Sequence, residues 1–413
     1  MARDRRGPSR GHTGERTLGR TVGAGEPPVP SADRPAVVRA ERSAMRSGAR
    51  TVRVGWALPA GLGLGALVAV LVGTWVGGLD QGGAGAGAVR SGVGLAVAVA
   101  RLATDGLGAA GIGLALLPLL VDGRATGRER AGADLGARAR SAALHRAARL
   151  GVQLGAGWAI AALLALWLQA ADAAGTGPFD VSPAVLGDYA GEIAAGRGLL
   201  LTLGCAVLLM CLQLSALVRW ARAASAHPGG SRAGQVDRPR YPELAVGAGL
   251  LGMLAGPVTG HAAGHDSHDP AVLAIALHVV AASGWVGGLL AVVLVLAGQP
   301  RLVAVALPRF STVAGYCAGT VAVTGVLSAV FRLPTPVALV NTGYGLLVLA
   351  KAACLVVLLG LGWRARRRLL GRMAGLAGGG SGSPVPLARW LGLELVVMAV
   401  VFGLAAALAG AAP

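Results

Sequence analysis

The feature that most constrains this chain is the recurrence of long apolar stretches, each of 18 residues or more and nearly free of charge. A segment of that kind must satisfy its own backbone in hydrocarbon, and a helix does so within a single segment. Such stretches run over 54–78, 94–121, 150–171, 198–219, 244–261, 271–297, 310–331, 343–363 and 390–410. The expected fold is therefore all-α, a polytopic transmembrane helix bundle of about nine spans. Charged residues make up only 14% of the chain, against about a quarter in soluble domains.

The arginines give the orientation. The segment before the first span carries twelve, and the segments 122–149, 219–243, 298–309 and 364–389 carry seven, five, two and six. The opposite connections hold only Arg90, Arg197 and Arg332, with Asp80, Asp172, Asp180, Asp188, Glu192, Asp266 and Asp269. The bias alternates without a break, so the positive-inside rule puts the N-terminus in the cytoplasm and the C-terminus outside. Net charge of +18 then reflects membrane orientation and does not call for nucleic acid. Trp56, Trp75, Trp167, Trp220, Trp363 and Trp390 fall near span ends, where indoles favour the headgroup layer, whereas Trp158 and Trp285 lie inside spans.

Three segments follow. Residues 1–53 read as a disordered basic cytoplasmic tail, rich in Arg, Gly, Pro and Ser. Residues 54–240 hold spans one to four, and 241–413 hold spans five to nine. The first span lacks a clear small-residue cleavage site and reads as retained. The cysteines Cys205, Cys211, Cys317 and Cys354 all fall in apolar spans, so none belongs to an extracellular disulfide framework. The pairs Gly61/Gly65, Gly73/Gly77 and Gly284/Gly288 have the spacing of close helix contacts.

Charge inside hydrocarbon is costly, so each buried polar group asks for a partner or a role. Arg101 and Asp105 share one face of the second span, four residues apart, the spacing of an ion pair. Glu394 lies a turn inside the ninth span. Lys351, the only lysine, sits near the middle of the eighth, where lysine differs from arginine in being able to lose its proton. A pair with Glu394 is conceivable, though their depths differ by about 10 Å.

Histidines carry the chemistry. The run Thr259-Gly-His-Ala-Ala-Gly-His-Asp-Ser-His-Asp-Pro270 joins spans five and six on the outer side. It puts His261, His265 and His268 at spacings of four and three, beside Asp266 and Asp269. Imidazole suits copper, zinc, iron and nickel, and the carboxylates add negative charge. The Asp-Pro step also has the form of a helix start. His278 lies two turns into the sixth span, on one face with Trp285 seven residues on. No P-loop, Gly-x-Ser-x-Gly, His-Glu-x-x-His or Cys-x-x-Cys motif occurs, so nothing indicates ATP use or hydrolysis, and no enzyme is expected.

The run His278-Val-Val-Ala-Ala-Ser-Gly-Trp-Val-Gly-Gly-Leu289 resembles the copper resistance protein D family. Arg309-Phe-Ser311, Thr324-Gly-Val-Leu-Ser328, Arg332-Leu333, Tyr344-Gly345, Lys351 and Leu393-Glu394 follow the same pattern in order. Leu346 departs from it, standing where a basic residue is expected. The resemblance covers about 240–410 and implies copper uptake across the cytoplasmic membrane and copper tolerance, often beside a periplasmic copper-binding partner of the CopC type. Copper would then meet the outer histidines and carboxylates and pass to His278, with Lys351 and Glu394 tuning the field deeper down. Two alternatives stay open: a haem-binding membrane redox protein, since histidines on adjacent helices can hold haem iron, and copper delivery for oxidase assembly without net transport.

Overall fold

The computed structural model describes residue 63, residues 92–121, 130–226, 241–259, 268–296, 299–333, 335–376, 393–401 and 403–405. The chain divides into Met1–Ala49 and Arg50–Pro413. The first unit and nearly all of the span expected at 54–78 lie outside the described residues, so the following concerns the second.

Every extended element here is helical. In chain order they are α1 (Gly92–Val121), α2 (Arg130–Ala174), α3 (Pro183–Glu192), α4 (Ala194–Ala226), α5 (Pro242–Thr259), α6 (His268–Ala291), α7 (Pro300–Arg332), α8 (Ala338–Asn341) and α9 (Gly343–Leu376). A shorter apolar helix, α10, covers Leu393–Ala405 where the ninth span is expected. Seven of them, α1, α2, α4, α5, α6, α7 and α9, are long and apolar enough to cross a membrane. Prolines sit inside three of these seven, Pro118 in α1, Pro257 in α5 and Pro308 in α7. Membrane helices tolerate them because neighbours re-satisfy the freed carbonyls.

Helix ends differ from the expected loops. Residues 130–149 belong to α2, 300–309 to α7, 219–226 to α4 and 364–376 to α9. Alanine, leucine and arginine are strong helix formers, so these helices do not stop where the apolar run stops. At 45 residues, α2 is about 67 Å long and outruns a hydrocarbon core of about 30 Å. Its far end is a Schellman close: Gly175 adopts φ +63°, and the amides of Gly175 and Thr176 donate to Asp172 O and Ala171 O. The connection after it is partly ordered as α3, which Ser182 caps by accepting from Val185 N while Pro183 takes the first helical position.

Successive helices run antiparallel. Down α2, Gly155, Gly151 and His145 meet Met210, Gln213 and Trp220 of α4, which run up that helix. Gly284 and Gly288 of α6 likewise meet Cys317 and Phe310 of α7. Among the described residues, Arg146, Arg219 and Arg309 therefore fall at one end of the bundle, with Asp172, Asp180 and Asp188 at the other. α1 is the hub and touches α2, α5 and α6 extensively. Where it crosses α6, Gly113 and Ala109 lie backbone to backbone against Gly287, with no room for a side chain. The larger core lies toward the arginine-rich end and joins Leu117 and Val121 of α1 to Leu289, Val295, Leu302 and Phe310. There α6 widens into a π segment, Val292–Leu296. The Val295 carbonyl accepts from Arg146 Nη1 at 3.4 Å, and Arg309 Nη1 donates to Leu120 O at 3.2 Å.

Candidate functional site

His278 stands ten residues into α6, about 15 Å from its start. Its partner is Thr324 on the antiparallel α7: Nδ1 and Thr324 Oγ1 are 3.0 Å apart. Which of the two donates follows from the threonine. A threonine hydroxyl has one hydrogen, and Thr324 spends it on its own helix, 2.6 Å from Thr320 O. Its oxygen can then only accept from the ring, so Nδ1 carries the proton and Nε2 keeps its lone pair. That is the arrangement in which a metal-ligating imidazole is usually held, with one nitrogen fixed by a second-shell group and the other open. The residue after the threonine is Gly325, whose missing side chain would sit 3.9 Å from His278 Cε1. Lys351 of α9 is close enough to act electrostatically on the same imidazole. Helices α6 and α7 thus bring His278 and Thr324 together, with Lys351 of α9 within electrostatic reach.

The other expected residues are placed as follows. Glu394 is buried on α10, with Oε1 at 3.7 Å from the side-chain position of Gly362. Gly362 is eleven residues along α9 from Lys351, about 16 Å. The two charges therefore sit at different depths. Trp285 is half-buried against the larger core, two turns from His278. Arg101 does not close an ion pair with Asp105; its Nη2 donates instead to Gln169 Oε1 of α2 at 3.1 Å, though its charge still acts on Asp105. The Tyr189 hydroxyl of α3 donates to the same oxygen at 3.3 Å. Burial pushes the Tyr189 phenol above its usual range, against the pull of Arg101, and Asp172 adds to the rise. The phenol therefore stays a donor and ties α3 to α1 and α2. His261, His265 and Asp266 lie outside the described residues, and His268 and Asp269 open α6 with side chains outside them. Among the described residues no three His, Cys, Asp or Glu side chains cluster as a metal site.

In the sequence Thr324 shows only as part of a motif, and Gln169 does not stand out at all. A neutral amide in an apolar span was the available signal for Gln169, since such groups seek partners inside the bundle.

Comparison with known proteins bears on the C-terminal part. Residues 304–408 match the family model described as Copper resistance protein D. The chain is 36% identical over 119 residues to the copper transport protein CutJ of Bacillus subtilis (strain 168), a match covering 28% of this chain and 22% of that protein. No solved structure matches. The family match contains Thr324, Lys351 and Glu394, while His278 precedes it.

Proposed function

We propose, from the match of residues 304–408 to the copper resistance protein D model, that this chain belongs to that family and carries copper inward across the cytoplasmic membrane. On this reading the chain has nine spans, the seven described together with 54–78 and 390–410. The arginine-rich end is cytoplasmic and the C-terminus external. Copper is cargo. His261, His265 and His268, with Asp266 and Asp269, gather it at the outer surface, and a periplasmic CopC-type protein supplies it. His278 then receives it within the bundle. Lys351 keeps a positive charge beside that site, and Glu394 places a carboxylate further toward the cytoplasm.

The single observation that carries this reading is the hydrogen bond from His278 Nδ1–H to a threonine whose own proton is already committed. It fixes an imidazole at membrane depth with Nε2 available, and neutral imidazole is a good copper ligand. The haem alternative would use the same open Nε2 as an axial ligand to iron. Absorbance of the purified protein separates the two, because a Soret band would favour haem.

The deciding test is copper accumulation in cells making the wild type or His278→Ala at equal level. Accumulation should be abolished while the variant stays in the membrane, since removing one half-buried ring leaves a tolerable gap. Full accumulation by the variant would return His278 to a helix-to-helix hydrogen bond.

A further inference from the structure

At the arginine-rich end, α1, α4 and α5 leave a small open notch of about 20 Å³, room for one water-sized oxygen. Pro118, Gln213, Ser215, Arg219, Tyr241 and Pro242 line it. Three features there favour an anion. Arg219 is half-buried, steadied by its Nη1 donating to Ser215 Oγ at 3.3 Å, and no carboxylate forms an ion pair with it among the described residues. The 18-residue α5 begins at Pro242, so its first-turn amides and the positive end of its dipole face this end. The Gln213 side chain is 6% exposed, lines the notch and has no hydrogen bond among the described residues. A buried amide without a partner calls for a ligand or water. The nearest carboxylate along α5, Glu243, is exposed.

The surface around the notch chooses the kind of anion. Leu214 and Val218 on α4 and Leu244 on α5 are exposed apolar residues at this end of the two helices. A free phosphate has no use for them, whereas acyl chains do.

We propose that this notch takes one phosphate oxygen of an anionic phospholipid of the phosphatidylglycerol class, the rest of whose headgroup lies over its mouth. The phosphate sits on Arg219 with the Tyr241 hydroxyl as a second donor. A glycerol hydroxyl meets Gln213, and it can donate or accept whichever way the amide is turned. The acyl chains run along α4 and α5. The proposal rests on the membrane placement of these helices and not on copper, so it stands or falls separately from the transport reading.

The test uses the purified full-length chain in neutral detergent, titrated with phosphatidylglycerol or phosphatidylcholine of matched chains and read by native mass spectrometry. The wild type should prefer phosphatidylglycerol by about tenfold, the scale of one charge-assisted contact. Arg219→Gln should erase the preference, Tyr241→Phe should reduce it, and Arg222→Gln, at an exposed neighbour, should keep it. The Tyr241→Phe arm decides the matter if Arg219→Gln does not fold. An unchanged preference in both Arg219→Gln and Tyr241→Phe would overturn the proposal. Equal losses in the Arg219 and Arg222 variants would overturn it too, because they would mean only general surface charge. So would displacement of the lipid by millimolar inorganic phosphate, which would make the notch a free-anion site.

Discussion

At the scale of single residues, the Thr324 hydroxyl decides what His278 can do. Thr324→Val keeps the shape but removes the acceptor, leaving Nδ1–H without a partner and the ring free to turn. Groups that orient a metal ligand in this way are worth about 10–100-fold in affinity. Thr324→Val should therefore raise the copper concentration for half-maximal uptake by at least about tenfold, and Thr324→Ser should restore it. Equal uptake curves for Val and wild type would mean that the tautomer does not matter. Lys351 tests a different point. Lys351→Met should reach the membrane yet impair uptake more than Lys351→Arg, because the arginine keeps a positive charge within electrostatic reach of His278. Silence of the methionine variant in uptake and in thermal stability would remove Lys351 from the mechanism. His278 and Lys351 stand out in the sequence because each is a charged or titratable group in an apolar run. Thr324 does not, since a threonine in a helix looks the same whether it bonds its own backbone or also accepts from a neighbour. The outer His261 and His265 were equally visible in sequence, but lie outside the described residues.

At the scale of elements, the contacts that fix the bundle are between helices, and spacing within one helix finds only some of them. The Gly284/Gly288 spacing suggested a contact face on α6. The tightest approach is at Gly287, against the backbone of Ala109 and Gly113 in α1, while Gly288 backs onto Phe310 and Gly284 has only Cys317 Sγ at 3.6 Å. Gly287→Ala should therefore be severe, since the new methyl would meet the Ala109 carbonyl and the helices would have to part. Gly284→Ala should be tolerated. The expected readout is thermal unfolding in detergent, with a loss of at least about 2 kcal/mol for Gly287→Ala and under about 0.5 kcal/mol for Gly284→Ala. Comparable melting of the two would mean that α1 and α6 do not cross where the backbone places them. Helix ends escaped the sequence reading for a related reason. Hydropathy marks where lipid stops, and in α2 and α9 the helix continues past that point on alanine, leucine and arginine.

At the scale of the molecule, sidedness is the property on which the transport reading depends. Antiparallel packing gathers Arg146, Arg219 and Arg309 at one end and leaves Asp172, Asp180 and Asp188 at the other. Cysteines introduced at Gly11 or Gly378 should be shielded from an impermeant thiol reagent in intact cells, and those at Gly264 or Pro413 should be labelled. A shielded Pro413 would mean an even number of spans and would reverse the direction in which α10 crosses. The whole-chain pattern was readable because arginine placement is a global count, insensitive to the exact ends of any helix.

The π segment of α6 reads differently when this chain is set beside its relatives. Its residues are Val-Val-Leu-Val-Leu, so deleting any one leaves the composition almost unchanged. What the turn contributes is length: one residue more than an α turn holds. Without it α6 would close up, and all that follows would swing by about 100° around the axis, carrying the Val295 carbonyl away from Arg146. A relative lacking the bulge should therefore align with a one-residue gap in the middle of an unbroken apolar run, where side-chain similarity alone offers no reason to open one.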